Sequence, residues 1–356
     1  MNNLIKKIEN NDELSFDEAV KLYDLDLSVL GKNAQKIRLD KFGKKTYFNI
    51  NRHINPSNIC KDVCKFCAFS ANRKNPNPYT LSVEECVKIA KNAWQKGADE
   101  VHIVSAHNPE VGYKYYMNII KEIRKELPNI HIKAFTAAEV NFFSELSGKT
   151  YQEVLEDMIN AGVDSMPGGG AEIFDEQIRN RICKGKVSSE KWLKIHETWH
   201  KMDKKSNVTM LFGHIEKKHH RIEHMLRIKK LQDKTKGFNA FIPLVYQRKN
   251  NYLNVQKFLS GVEILKTIAI SRILLRNINN IKAYWVTTTL NLSLVAQEYG
   301  ANDIDGTIEK ESINSQAGAA SSNGIKLQEL IHLIKDSGFI PVRRDSLYNE
   351  IKAYSL

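Results

Sequence analysis

The chain has little that could staple it or carry it across a membrane. Only five of its 356 residues are cysteines. An odd, sparse set argues against a disulfide framework. No apolar run approaches the roughly 18 residues that a membrane-spanning helix needs. The opening MNNLIKKIENNDELSFDEAV has no apolar leader core, so a cytoplasmic location with no membrane partner is expected. There is no low-complexity tract, no short-period repeat and no Pro/Gly/Ser-rich linker, which argues against arrays and strings of tethered modules. A second CxxC pair, which would point to structural zinc, is also missing.

What is there is ordinary globular composition, 42% hydrophobic and 26% charged, enough for a core without staples. Lys and Arg outnumber Asp and Glu by 53 to 41, for a formal charge of +12. The excess is spread along a Lys- and Asn-rich chain. Its densest stretches, Lys32 to Lys45 and Lys217 to Lys230, read as solvated surface. No nucleic-acid partner is expected; polyanion binding is the competing reading.

Residues 1–42 read as two short helices, with Ser15 and Glu18 forming a capping box. From residue 46, eight short β-rich runs alternate with helical patterns: YFNINR, EVHIVSA, HIKAFTA, VDSMPG, NVTMLFG, NAFIPLVY, IKAYWVT and ANDIDGT. The helical patterns cover 82–96, 113–126, 150–161, 188–204, 220–235, 255–271, 290–299 and 327–337. Strands separated by helices imply parallel pairing, and eight such units imply an α/β fold, a closed (βα)8 TIM-type barrel. The expected layout is a helical extension over 1–45, the barrel over 46–340 and a tail packed on it over 341–356.

In such a barrel the site lies on the βα loops. Three cysteines, Cys60, Cys64 and Cys67, fall within eight residues of the first of these, in NPSNICKDVCKFCAFS. Thiolates ligate iron–sulfur clusters, and three of them leave one iron of a cubane open to a chelating substrate. Phe66 could flank a bound adenine. Three other readings compete: zinc with His53 as fourth ligand, a redox CxxC at Cys64 and Cys67, and unliganded thiols. Cys86 reads as core and Cys183 as structural.

The pattern CX3CXφC, with Phe66 as φ, resembles the radical SAM superfamily. That resemblance implies a [4Fe–4S] cluster, S-adenosyl-L-methionine as co-substrate on the open iron, and an electron donor such as flavodoxin or ferredoxin. It also implies reductive cleavage to a 5′-deoxyadenosyl radical, with the protein orienting and shielding the reaction. From about residue 12 onward, NINRHINPSNIC, SMPGGGAEIF, MLFGHIE, LQDKTKGFNAFIPL and PVRRDSLYN are similar to the branch holding the futalosine-pathway menaquinone enzymes and the deazaflavin-cofactor synthase subunits. HIVSAHNP, GHIE, AYW and IDGT resemble the aminodeoxyfutalosine synthases rather than the sister dehypoxanthine futalosine cyclases. The reaction so implied adds the adenosyl radical to 3-[(1-carboxyvinyl)oxy]benzoate, migrates the aryl group and decarboxylates, giving 6-amino-6-deoxyfutalosine. The chain departs from the pattern at Arg276, where relatives carry an acid, and in VTTTLNLSL, which lacks a glycine after the seventh strand. An RNA-modifying radical enzyme and a non-catalytic metal-binding protein are the readings from other classes.

The site residues expected on this basis are His53, His107 and His214 for catalysis. Ser105, Glu139, Gly168, Gly169, Gly170, Glu172 and Arg179 join Phe66 around the cofactor. Two substrate carboxylates need arginine forks or N–H groups if they are to be buried, and Arg179, Arg181, Arg343 and Arg344 are the candidates. Tyr284 and Trp285 read as core packing, with walling the arene as the competing reading. Asp303 and Asp305 are placed to bind ribose or to form salt bridges in the barrel.

Overall fold

The computed structural model describes residues 2–72, 74–307, 312–319 and 324–355; Met1 of the expected extension and Leu356 of the expected tail lie outside them. Each of the eight runs contributes to a strand, but IKAYWVT gives only Ile281 to one and turns helical at Trp285–Thr288. The first is split by Ile50 into β1 (Lys45–Asn49) and β2 (Asn51–Ile54). The others are β3 (Glu100–Ile103), β4 (His131–Ala134), β5 (Ser165–Met166), β6 (Lys205–Phe212), β7 (Phe238–Val245), β8 (Asn280–Ile281) and β9 (Asp303–Gly306). Strands β2 to β8 make a parallel sheet in sequence order. A bridge between Lys282 and Asp303 carries the sheet on to β9, and β9 pairs in parallel with β1. The ring therefore closes through the lower half of its first strand. Gly306 is where the closure is tightest: a Cβ there would run into the carbonyl oxygen of Asn49, which gives the IDGT run its glycine.

Helices Val83–Gln95, Tyr113–Glu126, Tyr151–Ala161, Ser189–Lys201, Lys218–Thr235 and Gly261–Leu274 surround the sheet where the periodicity puts them. The last starts later than expected because Ser260 caps it. Beyond the extension, four α-helices among the described residues were not foreseen: Ala137–Ser147, Glu176–Ile182 and the short Trp285–Thr288 and Ile313–Gln316. The extension holds three α-helices rather than two: Asn2–Asn10, Phe16–Lys21 and Leu27–Phe42. The Ser15–Glu18 capping box opens the second of them. Helix Leu27–Phe42 packs on Gly261–Leu274, and its buried Arg38 donates to the Ala301 and Lys45 carbonyls at 3.2 and 2.6 Å.

The C-terminal segment is sheet. β10 (Ile340–Arg344) pairs in parallel with β1, and β11 (Glu350–Ala353) pairs antiparallel with β10. This adds strands outside the ring and carries Arg344 into the barrel interior, where it is 1% exposed. No helix among the described residues is long and apolar enough to cross a membrane.

Candidate active site

The βα loops enclose a cavity of about 280 Å³. Cys60, Cys64 and Cys67 line it as free thiols, together with Phe66. Their loop is pinned on both sides: the Lys61 N–H donates to the His107 carbonyl at 3.0 Å and the Lys65 N–H to the Ile182 carbonyl at 2.7 Å. The Ser70 N–H points at Cys67 Sγ at 3.4 Å, a donor suited to a charged sulfur. Burial pushes the Cys60 and Cys64 thiols above their ordinary pKa, so thiolates here need positive charge from a bound metal centre.

The donor set also separates the metals. A single tetrahedral zinc at about 2.3 Å from each sulfur would hold the sulfurs roughly 3.8 Å apart. Among the described residues, the one trio of His, Cys, Asp or Glu ligand atoms within 4.8 Å of one another is Cys60, Asp62 and His107, not the three cysteines. Asp62 already meets His107, Oδ2 to Nδ1, at 2.9 Å. Three thiols on one loop, spread wider than a zinc site, fit a cubane cluster with one open iron.

Of the expected residues, His53, Ser105, His107, Gly168, Gly169, Gly170 and Glu172 line the same cavity. His53 stands beside His102 on the next strand, ring centres 4.7 Å apart. His107 stacks on Phe142 at 5.0 Å, and burial holds its pKa below the ordinary value despite Asp62. Gly168 is imposed by packing, because a Cβ would lie 2.6 Å from the Val208 Cα on β6. Glu172 has φ 47°, unusual for a residue with a side chain, and accepts from Lys186 Nζ at 2.8 Å.

Three expected residues lie outside the lining. Glu139 sits behind it, accepting from the Ser105 and Thr136 N–H groups at 2.7 Å each. It forms a capping box with Thr136 at the head of the unforeseen helix Ala137–Ser147. Burial pushes its carboxyl up to about 7 against those donors. Arg179 is held by the carbonyls of Gly170, Ile173, Ala171 and Val187, so it shapes the glycine loop and has no fork left for a ligand. His214 is buried between the Leu211 carbonyl at 3.0 Å and Glu216 at 3.1 Å, edge-on to Tyr246.

The remaining arginines expected at substrate carboxylates are elsewhere. Arg343 pairs with Asp99 at 2.6 Å, Arg344 pairs with Asp303 at 2.6 Å, and Arg181 is exposed. The Lys or Arg that does line the cavity, among the described residues, is Lys186, with its Nζ 5.7 Å from the Phe66 ring centre. Sequence reasoning missed it, since nothing in RICKGK marks one lysine. It also missed Asn207 and Thr209, which line the cavity from β6. These two carried a signal: polar residues at alternate positions of an otherwise apolar strand face one side. Tyr284 lines the cavity, whereas Trp285 donates to the Gly306 carbonyl at 2.8 Å. Asp303 and Asp305 form barrel salt bridges, the latter to Lys282 at 3.3 Å, and Asp305 also reaches the cavity.

The model described as "Radical SAM superfamily" matches residues 54–228, and "CofH/MqnC C-terminal region" matches residues 235–355. The chain is 38% identical to an aminodeoxyfutalosine synthase of Thermus thermophilus over 356 residues, covering 99% of this chain and 96% of that one. The chain belongs to the radical SAM superfamily. Within it, an aminodeoxyfutalosine synthase of Streptomyces coelicolor is 36% identical, covering 99% of this chain and 94% of that one. A 5-amino-6-(D-ribitylamino)uracil–L-tyrosine 4-hydroxyphenyl transferase of Methanothermobacter thermautotrophicus is also 36% identical, with 92% and 90% covered. This radical SAM chain shares its fold with the FeFe-hydrogenase maturase HydG of Carboxydothermus hydrogenoformans, at a TM-score of 0.77 and 18% identity over 98% of this chain and 80% of that one.

Proposed function

We propose that this enzyme joins the 5′-deoxyadenosyl portion of S-adenosylmethionine to 3-[(1-carboxyvinyl)oxy]benzoate, with aryl migration and loss of the enolpyruvyl carboxylate, giving 6-amino-6-deoxyfutalosine. The observation that carries this reading is the cysteine loop opening into a cavity at the mouth of a full-length synthase-like barrel. Cys60, Cys64 and Cys67 hold the [4Fe–4S] cluster. When bound, it supplies the electron that cleaves the sulfonium of S-adenosylmethionine. The Asp62–His107 pair and the Lys61 N–H bond to His107 fix the loop against the one after β3. Lys186 offers a cation for one carboxylate, held in place by Glu172. Ile242, Leu244, Tyr246 and Tyr284 give the cavity an apolar side for the arene and keep water off the reacting carbons.

The test is to incubate the reconstituted enzyme anaerobically with dithionite, S-adenosylmethionine and the benzoate substrate, and to read products by mass spectrometry. An adenosyl-containing adduct lacking one carboxylate is expected. Free 5′-deoxyadenosine with no adduct overturns the reading. Turnover of dehypoxanthine futalosine in place of the benzoate assigns the chain to the sister cyclase.

A further inference from the structure

We propose that the outer face of the cysteine loop is the docking surface for an acidic one-electron carrier protein. The inference rests on the function proposed above, which requires an electron from outside. Along the loop, residues alternate. Asp62, Cys64 and Phe66 line the cavity, while Lys61, Val63 and Lys65 are exposed on the other side. Val63 is 74% exposed, an unusual place for a large apolar residue between a buried carboxylate and a ligand thiol.

Two backbone hydrogen bonds gather other segments around Lys65. Its N–H donates to the Ile182 carbonyl at 2.7 Å, and its carbonyl accepts from the Tyr252 N–H at 2.6 Å. These bring Arg181 and Lys184 from one side, and Lys249 with the half-exposed Tyr252 from the other. Lys74 lies over the Tyr252 ring at 4.6 Å. No Asp or Glu occurs in residues 63–75, 177–189 or 246–262. Among the described residues, only Lys61 of these cations meets a carboxylate, that of Glu145.

An exposed apolar residue within a ring of unneutralised cations is complementary to an acidic partner with a small contact patch. Transient electron-transfer encounters use such small, charge-steered interfaces. Val63 and Lys65 are the chain neighbours of Cys64, so a carrier touching them sits about one residue, ~3.8 Å along the chain, from a ligand. The carrier is oxidised by one electron and the cluster reduced by one. Position decides between a carrier and a nucleic acid: the patch covers the cluster loop rather than tracking along a groove, as single-stranded binding does.

The experiment titrates the reconstituted holoenzyme with an acidic flavodoxin and, in parallel, an acidic ferredoxin, by calorimetry at low and high salt. It compares wild type with R181E/K184E and with K74E/K249E. Binding of at least one carrier, weakening as salt rises, and a loss of roughly tenfold or more in affinity in both variants are expected. Dithionite-driven turnover stays at the wild-type rate, which separates failure of docking from failure of the proposed reaction. Three results would overturn the proposal: neither carrier binds, the variants bind as well as wild type, or the face binds an RNA oligonucleotide more tightly than either carrier.

Discussion

Toward the N-terminal ends of the barrel strands, Lys133 meets Glu100 at 2.8 Å and Arg344 meets Asp303 at 2.6 Å, both almost wholly buried. At the mouth the groups are just as ionisable, but they are left incomplete. Burial raises the Cys60 and Cys64 thiols above their ordinary pKa, and Lys186 faces the cavity beside Glu172. Buried charge that is matched within the chain holds the barrel closed. Three ligand-type thiols gathered on one cavity wall mark where something else can bind.

This contrast can be broken at either end. Cys64→Ser has the largest expected effect: adduct formation falls below detection and the iron–sulfur absorbance is lost. The thermal midpoint of the apoprotein moves little, because Cys64 is a free thiol and Ser keeps most of its volume. A midpoint that collapses along with activity would make the thiol structural instead.

At the closed end the order reverses. Lys133→Met leaves the Glu100 carboxylate buried with Ser346 as its hydrogen-bond donor among the described residues, and should cost about 3–5 kcal/mol in urea unfolding. Adding Glu100→Gln should recover part of that loss. A cost under about 1 kcal/mol would show that the pair is not buried in solution.

Glu139 lies between the two regimes. Burial raises its carboxyl from 4.5 to about 7, so the folded state holds the proton more tightly than the unfolded one. The stability it contributes is full below about pH 4.5 and is lost as pH rises through about 7, at up to roughly 1.4 kcal/mol per pH unit. Glu139→Gln should flatten that fall between pH 5 and about 7; an unchanged slope would mean that the three donors around it keep it ionised.

The smallest expected effect is a gain. Thr289 sits at φ 82° and ψ 151°, a region that residues with side chains rarely occupy, at the point where the sequence lacks its expected glycine. Thr289→Gly should stabilise by about 1 kcal/mol, even after losing the weak hydroxyl cap to the Leu292 N–H at 3.4 Å.

How much of this was legible follows from how far apart the partners lie in sequence. The strands were legible because short apolar runs alternate with amphipathic helices, and the cysteine loop because its ligands lie within eight residues. Thr136 and Glu139 carry a readable capping signature, yet Glu139 was expected at the cofactor. PVRRDS looked like a tail because a charged strand only makes sense opposite Asp303 and Glu100, which stand 41 and 246 residues away from their partners Arg344 and Ser346. Those arginines were assigned to substrate for the same reason: charge is visible in a sequence, neutralisation is not. Arg276 answers the N-terminal extension, donating to the Ile8 carbonyl, so its departure from the family pattern lies outside the cavity lining.

The first strand of the ring has a consequence for synthesis. β1 is flanked by β9 and β10, whose pairing residues begin at Asp303 and Ile340. Until nearly the whole polypeptide has left the ribosome, the strand leading into the cysteine loop has no partner on that edge. Contacts this distant form late. A nascent chain cut short before Asp303 would leave that edge of the ring open, with the cysteine loop on an unclosed barrel.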